Sequence, residues 1–323
     1  MSRLLGSRWV RLAVAAGLLA YFLYISHPAA IWAVLRHARA WPIAGAIALT
    51  LFDRSLMAYR WLVLLRPVPA AERPSLGRLM RIFFVSTFMG TFLPASVGGD
   101  VVRAYALNRE RVPLSIAAAS VAMDRALGVV SILLLGAASL IAAPAQAPPG
   151  LAVVMTLGTM ASAVLAAVIF AEPAARLAAR ALDALPGAAV RRLAGKLLDA
   201  VRAYRFHHAA LANVLAGSVG VQVLRVLQAW LLGVGLGITA PLAAYFVCIP
   251  VILLVMLLPI SMNGVGTSQA AFVWCFGALG IPRADAFALS VLFVGLGIVG
   301  NLPGGLLYAF GRQKDPAADM RSA

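Results

Sequence analysis

An arginine in the middle of an apolar segment is the clearest chemical signal in this sequence. Arg225 lies at the centre of segment 212–236, and Ser218, Gln222 and Gln228 share its helix face because the steps between them are four, three and three residues. A guanidinium group presents a rigid fork of donors that suits a phosphate or a carboxylate. We therefore expect this stripe to bind an anion. The alternative is a structural ion pair between Arg225 and an acidic residue of another helix.

A second apolar segment, 43–64, also carries charges. Asp53 lies deep in it beside Arg54, and Arg60-Trp61 follows near its end. Charges inside a membrane are costly and mark functional sites by default, so Asp53 is a candidate pathway residue. We interpret Arg60 as a side chain that reaches the cytoplasmic interface next to an anchoring tryptophan.

The pair Asp124-Arg125 lies about halfway along segment 114–142. Adjacent residues on a helix do not face each other, so each of the two needs a partner from another element. The nearest candidates are Asp100 and Arg103. We expect an Asp/Arg network in which one arginine is left to meet an anion.

Two apolar segments break in a similar way. The stretch "TFLPASVGGD" covers 91–100 and "LLPISMNGVG" covers 257–266, and each passes from Leu-Pro through small polar residues to glycines. Glycines let backbone N–H groups turn toward a ligand, and the N-terminus of a following half-helix favours an anion. The alternative is a pair of kinks that pack helices closely and bind nothing. The residues of the breaks are Pro94, Gly98, Gly99, Pro259, Gly264 and Gly266, with Asn263 and Gln269 as further pathway candidates.

Composition places the chain in a lipid bilayer. Hydrophobic residues make up 63% of the 323 residues, charged residues make up 12%, and the mean hydropathy is +0.94. A soluble domain could not keep so much apolar surface away from water. The net charge of +16 comes mostly from short loops without interleaved aromatic residues, so the positive-inside rule explains it and nucleic-acid binding is not expected.

The basic stretches also predict the topology. Three apolar segments separate the basic stretches 66–81 and 171–211, although both should be cytoplasmic. The conflict disappears if 79–112 is a re-entrant hairpin that enters from the cytoplasm and returns there. The short segment 267–281 favours a second hairpin, 242–281, that enters from the opposite side, although two full crossings would also satisfy the charges. Paired broken helices of opposite orientation around a midplane site are a recurring transporter design.

The sequence therefore predicts an all-α polytopic membrane protein with about six spanning helices plus two oppositely oriented re-entrant hairpins, resembling an inverted repeat. We expect 1–311 to form one integral membrane domain with an uncleaved first helix near 10–26, and 312–323 to form a cytoplasmic tail. The N-terminus is also expected in the cytoplasm of a cell with a bacterial-type inner membrane. The loop 171–211 is predicted to form two amphipathic helices on the anionic cytoplasmic leaflet.

Motifs for catalysis and for cofactors do not occur in the sequence. There is no Walker loop, and Cys248 and Cys275 have no metal or redox spacing. The four histidines lie outside the apolar segments; they are His27, His37, His207 and His208. We expect no metal, no cofactor and no enzymatic activity.

Four stretches of the chain occur in an order and approximate spacing typical of one family. They are "RW" at 60–61, "FLPASVGGDVVRAYAL" at 92–107, "DRALG" at 124–128 and "LLPISMNGVGTSQAAFVWCFGALGI" at 257–281. Together they resemble the flippase-like family named after the transmembrane region of lysylphosphatidylglycerol synthase, over nearly the whole chain. A stand-alone branch of that family accompanies hopanoid biosynthesis.

The resemblance implies movement of a lipid between leaflets. In the name-giving enzyme this region moves an aminoacylated lipid that a soluble C-terminal domain makes. The present sequence ends at Ala323, so we expect transport alone, with a separate lipid-modifying enzyme as a candidate partner. The family commonly has Arg-Glu after the second glycine motif, whereas this chain has Ser268-Gln269, so a coupling role for that carboxylate does not carry over.

Three functions are compatible with these features. The leading hypothesis is a lipid translocase in which Arg225, Arg125 and Arg103 hold an anionic or amphiphilic headgroup. The second is a gradient-coupled transporter of a small soluble anion, with the intramembrane aspartates in the coupling. The third is a membrane-embedded lipid transferase, which ranks last because no second carboxylate or histidine is placed beside Asp100.

Overall fold

The computed structural model describes residues 38–66, 74–92, 98–148, 150–183, 188–257 and 266–310. These residues form eleven α-helices and no β-strand, so the predicted all-α membrane fold is confirmed. The helices are α1 (Ala40–Leu64), α2 (Leu76–Phe92), α3 (Gly98–Asn108), α4 (Leu114–Ala142), α5 (Leu151–Phe170), α6 (Glu172–Asp183), α7 (Ala188–Arg202), α8 (His208–Leu236), α9 (Leu242–Leu257), α10 (Thr267–Gly277) and α11 (Arg283–Phe310). The predicted first helix and the tail lie outside the described residues, as do Pro94, Pro259, Asn263 and Gly264.

Three of the described helices, α4, α8 and α11, are long and apolar enough to cross a membrane by length and composition. The 155–170 part of α5 passes the same test only together with α6, and the two are bent by 96°. Helix α1 has 25 residues, but Asp53, Arg54 and Arg60 lower its hydropathy. The expected number of about six spanning helices therefore stays a prediction.

Helices α1 and α8 form the centre of the bundle and run antiparallel. The Arg39 N–H, just before α1, donates to the Gly235 carbonyl at the end of α8 (2.9 Å). At the other end, the Tyr204 hydroxyl, just before α8, donates to the Leu64 carbonyl (2.6 Å). Gly217 lets the two helices approach, because a Cβ there would lie 3.0 Å from Arg60 Cγ. The bundle therefore has two ends, one marked by Leu64 and the other by Gly235.

Helices α2 and α3 form an antiparallel hairpin, which we call the first hairpin. Near the break, Gly90 and Gly99 touch so closely that a Cβ on Gly90 would lie 2.8 Å from Gly99 Cα. At the open end, Arg78 NH1 donates to Glu110 Oε2 (2.9 Å). Leu79 near this open end packs in a cluster that also contains Leu65, so the hairpin enters the bundle from the Leu64 end.

Helices α9 and α10 form the second hairpin. Tyr245 near the start of α9 packs on Phe276 near the end of α10, with 5.0 Å between the ring centroids. Tyr245 also lies against Gly233, close to the end of α8. The second hairpin therefore enters the bundle from the Gly235 end, opposite to the first. Which end faces the cytoplasm stays a prediction from the charge distribution.

The charged loop after α5 contains the two amphipathic helices α6 and α7, and α7 packs against α4. Arg202 and Arg205 both donate to the Glu172 carboxylate at the start of α6. Hydrogen bonds from Arg205 and Arg202 lower the pKa of Glu172. The ionised carboxylate thus joins the start of α6 to the turn that leads into α8.

Candidate functional site

A cavity of about 250 Å³ lies between the two hairpins and is lined by described residues of both. Helices α2 and α3 contribute Thr87, Gly90, Thr91 and Gly99 to its wall, while α9 and α11 contribute an apolar wall. The apolar side chains are Leu253, Met256, Leu257, Phe293 and Val294. The charged residues that line it are Asp53, Arg54, Asp100, Arg103, Arg125 and Arg225. Four arginines thus face two aspartates.

Asp124 lies just outside this cavity and forms ion pairs with two buried arginines. Arg60 NH2 donates to its Oδ1 (2.8 Å), and Arg103 NH1 donates to its Oδ2 (3.3 Å). The Arg103 guanidinium also lies over the Phe83 ring, 4.7 Å from the centroid, and over Trp61 at 5.5 Å. These contacts fix α1, α3 and α4 to one another from within.

Arg125 reaches from α4 to the N-terminus of α3. Its Nε donates to Asp100 Oδ2 at 2.6 Å, and the arginine side chain is 45% exposed while the Asp100 side chain is 10% exposed. Two ion pairs therefore join α3 and α4, Arg103–Asp124 and Arg125–Asp100, and the sequence had made these residues the candidate partners. Arg125 therefore lies at the boundary between the cavity and the outer surface of the bundle.

A chain of polar contacts connects α1, α11 and α2 on the other side of the cavity. Arg54 NH1 donates to Asp53 Oδ2 (3.1 Å), and Arg54 Nε donates to Asn301 Oδ1 (2.9 Å). Asn301 Nδ2 in turn donates to Thr91 Oγ1 at the tip of the first hairpin (2.7 Å). These contacts fix the end of α2 relative to α1, and they hold Arg54 in the cavity wall.

Arg225 is held much more loosely than the other arginines of the cavity wall. Its Nε lies 4.0 Å from Asp53 Oδ2, and its NH2 lies 3.5 Å from Met57 Sδ. Gln228, one helical turn later, also lines the cavity, and its Nε2 is buried without a hydrogen-bond partner among the described residues. The half of the predicted stripe around Arg225 therefore faces the cavity.

Other predicted site residues lie elsewhere. Gln222 packs against α4, where its Nε2 donates to Ser131 Oγ (3.2 Å), and it is not part of the cavity wall. Gln269 accepts a hydrogen bond from the Gly266 N–H (2.5 Å) and so caps α10. Gly266 has φ +89°, a left-handed conformation that favours glycine at this helix start. Gly98 begins α3, next to Gly99 in the wall.

Sequence reasoning missed three residues of this region. Arg54 and Asn301 line the cavity, and Arg60 is 3% exposed and bonded to Asp124, so its interpretation as an interfacial side chain was wrong. The position of Arg60 near a helix end favoured snorkelling, but the partner carboxylate lies on α4 and is visible only in three dimensions. A polar asparagine in the otherwise apolar stretch 291–307 was the available signal for Asn301.

Guanidinium groups in a partly apolar cavity are chemically suited to bind an anion. Among the described residues, no group of three or more His, Cys, Asp or Glu side chains has an arrangement that could hold a metal ion. Among the described residues, no short ion pair holds Arg225, so its side chain can reach a ligand, and Arg125 lies at the boundary of the cavity. The remaining charges brace the wall.

Comparison with known proteins gives one match. A search of curated proteins and a search of solved structures each found no match. The family model described as "Lysylphosphatidylglycerol synthase TM region" matches residues 8–304 of this chain, which is nearly its full length. The chain belongs to the family of the lysylphosphatidylglycerol synthase transmembrane region.

Proposed function

We propose that this protein translocates an anionic or amphiphilic lipid between the two leaflets of its membrane. The observation that carries the proposal is the cavity between the two hairpins, in which four arginines and two aspartates face an apolar wall. An anionic headgroup crossing a bilayer needs such a counter-charge, because a bare charge in hydrocarbon is very unfavourable. The protein acts as a transporter and not as an enzyme.

The size of the cavity fits a headgroup and not a whole lipid. Its volume of about 250 Å³ is below the range of about 300–1,000 Å³ usual for drug-sized ligands. The acyl chains therefore stay in the bilayer while the headgroup passes through the cavity. The apolar side chains of α9 and α11 accommodate the first methylene groups next to the headgroup.

The exposure of Arg125 favours a lipid over a soluble solute. This arginine lies within one helical turn of the middle of α4, lines the cavity and is 45% exposed. A cavity whose charged wall reaches the outer surface at mid-helix opens sideways, toward the acyl chains. A soluble anion needs no sideways opening, whereas a lipid does.

The setting of this transport follows from the charge distribution of the chain. We place the protein in a bacterial-type inner membrane with both termini in the cytoplasm, since the basic stretches flank the spans on that side. The amphipathic helices α6 and α7 lie on the anionic cytoplasmic leaflet. An enzyme that modifies the headgroup is the natural partner for such a transporter.

Replacing Arg225 by alanine tests the function. We expect Arg225→Ala to lower the rate of translocation about tenfold or more, since it removes a charge-assisted contact to the headgroup. The measurement reconstitutes the protein in phosphatidylcholine vesicles containing phosphatidylglycerol with an NBD-labelled acyl chain, and follows dithionite quenching of the outer leaflet.

Arg180→Ala is the matched control, because Arg180 is an exposed arginine of α6 far along the chain from the cavity residues. It should translocate like the unchanged protein. Full translocation by folded Arg225→Ala protein would contradict the assignment. Uptake of a radiolabelled soluble anion into lipid-matched vesicles, without lipid movement, would favour the small-solute transporter instead.

A further inference from the structure

Asp53 is buried in the cavity wall with its hydrogen-bonding capacity only half used. Its side chain is 2% exposed, and Oδ1 has no hydrogen-bond partner among the described residues. Oδ2 accepts from Arg54 at 3.1 Å and lies 4.0 Å from Arg225 Nε. A buried carboxylate oxygen without a hydrogen-bond donor is energetically unfavourable. A further donor that reached Asp53 Oδ1 would therefore be stabilising.

The two arginines near Asp53 differ in how firmly they are held. Arg54 also donates to Asn301 Oδ1 (2.9 Å) and to the Gly297 carbonyl (3.3 Å), so its guanidinium is tethered on several sides. Arg225 has only the long contact to Asp53 and the contact to Met57 Sδ among the polar contacts described. Of the two, Arg225 is the one that can move.

We propose that Asp53 is a positioning residue that competes with the bound anion for Arg225 and thereby releases it. This inference rests on the proposed function and assigns a role within it. Without a bound anion, Arg225 stays beside Asp53, where its Nε lies 4.0 Å from Oδ2. When a phosphate-type anion enters, Arg225 turns to it, and the return of Arg225 to Asp53 drives the anion out.

A transporter needs such a competitor. Arginine–phosphate contacts in a poorly hydrated site are strong, and a site that binds too tightly does not let its ligand leave. A carboxylate fixed beside the mobile arginine lowers the affinity without removing the arginine. Asp53 is such a carboxylate, because its Oδ2 lies 4.0 Å from Arg225 Nε. This distance is too long for a hydrogen bond, but a small side-chain movement would let the two groups pair.

The test is Asp53→Asn, which keeps the shape of the side chain and removes its charge. We expect phosphatidylglycerol with an NBD-labelled short acyl chain to bind about tenfold or more tightly, as close charge pairs are coupled by that much. We expect the translocation rate at saturation to fall at the same time. A purely structural role would weaken binding and slow transport together, so the opposite signs are diagnostic.

Asp285→Asn is the matched control, because it makes the same change at an exposed position at the start of α11, outside the cavity wall. It should not tighten binding. Folded Asp53→Asn protein that binds neither the labelled lipid nor glycerol 3-phosphate more tightly would overturn the inference.

Glycerol 3-phosphate provides an arm of the test that is independent of lipid transport. If Asp53→Asn tightens its binding while the unchanged protein fails to translocate the labelled lipid, the role of Asp53 stands and the proposed function fails, with a soluble phosphate as the ligand. If the unchanged protein translocates the lipid and Asp53→Asn binds neither probe more tightly, the inference fails alone.

Discussion

The two hairpins enter the same cavity from opposite ends, yet they are held by different forces. The first hairpin is held by ion pairs in addition to apolar packing, through Arg103–Asp124 and Arg125–Asp100. The second hairpin contains no charged residue in α9 or α10 and is fixed by aromatic packing. Tyr245 of α9 packs on Phe276 of α10 at 5.0 Å, and Phe272 of α10 packs on Phe293 of α11 at 5.5 Å.

This difference assigns different tasks to the two hairpins. Ion pairs are directional and place guanidinium groups at fixed points, whereas apolar packing is non-directional and provides a wall of defined shape. The first hairpin therefore carries the chemistry of the cavity, and the second shapes it. Substitutions in the two hairpins should differ accordingly in their effects on stability.

Replacing Asp124 by alanine should have the largest effect. Asp124→Ala leaves Arg60 and Arg103 buried without their counter-charge, and losing one partner of a buried pair costs about 3–5 kcal/mol. The free energy of unfolding in detergent, measured with a chemical denaturant, should fall by this amount. Asp285→Ala, at an exposed position at the start of α11, should stay within about 0.5 kcal/mol. Equal losses in both variants would show that the network does not stabilise the first hairpin.

A methyl group at Gly304 should separate α11 from the first hairpin. A Cβ there would lie 2.0 Å from the Phe84 carbonyl oxygen, whereas a Cβ on Gly295 of the same helix meets nothing within 4 Å. We expect Gly304→Ala to lower the unfolding free energy by about 1–3 kcal/mol through overpacking. Gly295→Ala should be neutral or stabilising by up to about 1 kcal/mol, because alanine favours helix. Similar stability of the two variants would argue against close packing of α2 on α11.

Removing the hydroxyl of Tyr245 in the second hairpin should have the smallest effect. The hydroxyl is buried and has no hydrogen-bond partner among the described residues, while its ring packs on Phe276. Tyr245→Phe keeps the ring and removes the unpaired polar group, so the unfolding free energy should stay equal or rise by about 1 kcal/mol. A clear loss of stability would show that polar contacts matter in the second hairpin as well.

Much of the fold could be predicted because the apolar segments carry a continuous signal. Segment 114–142 coincides with α4, and the predicted hairpin 242–281 begins at Leu242, the first residue of α9. The pairing of Asp100 and Arg103 with Arg125 and Asp124 was also accessible, since these charges lie on neighbouring elements with few other partners. Both predictions depend on information that is local in the sequence.

The parts that could not be predicted depend on which helix face meets which neighbour. Gln222 and Arg225 share a stripe, but residues three apart differ by about 60° around a helix axis. Because α8 contacts both α1 and α4, this angle turns Gln222 to Ser131 of α4 and Arg225 to the cavity beside α1. Arg60 was misplaced for the same reason, since its distance from a helix end says nothing about the carboxylate next to it.

The excess of arginine over aspartate in the cavity wall also has a consequence for the ion gradients across the membrane. A polar cavity in the middle of a membrane is a hazard, because Na⁺ and H₃O⁺ could leak through it and discharge the ion gradients. Fixed guanidinium groups repel such cations, as arginines and positive helix ends do in selective pores. With four arginines against two aspartates, a wall that admits an anion as proposed above also repels cations. Transport of the proposed kind would therefore leave the ion gradients intact.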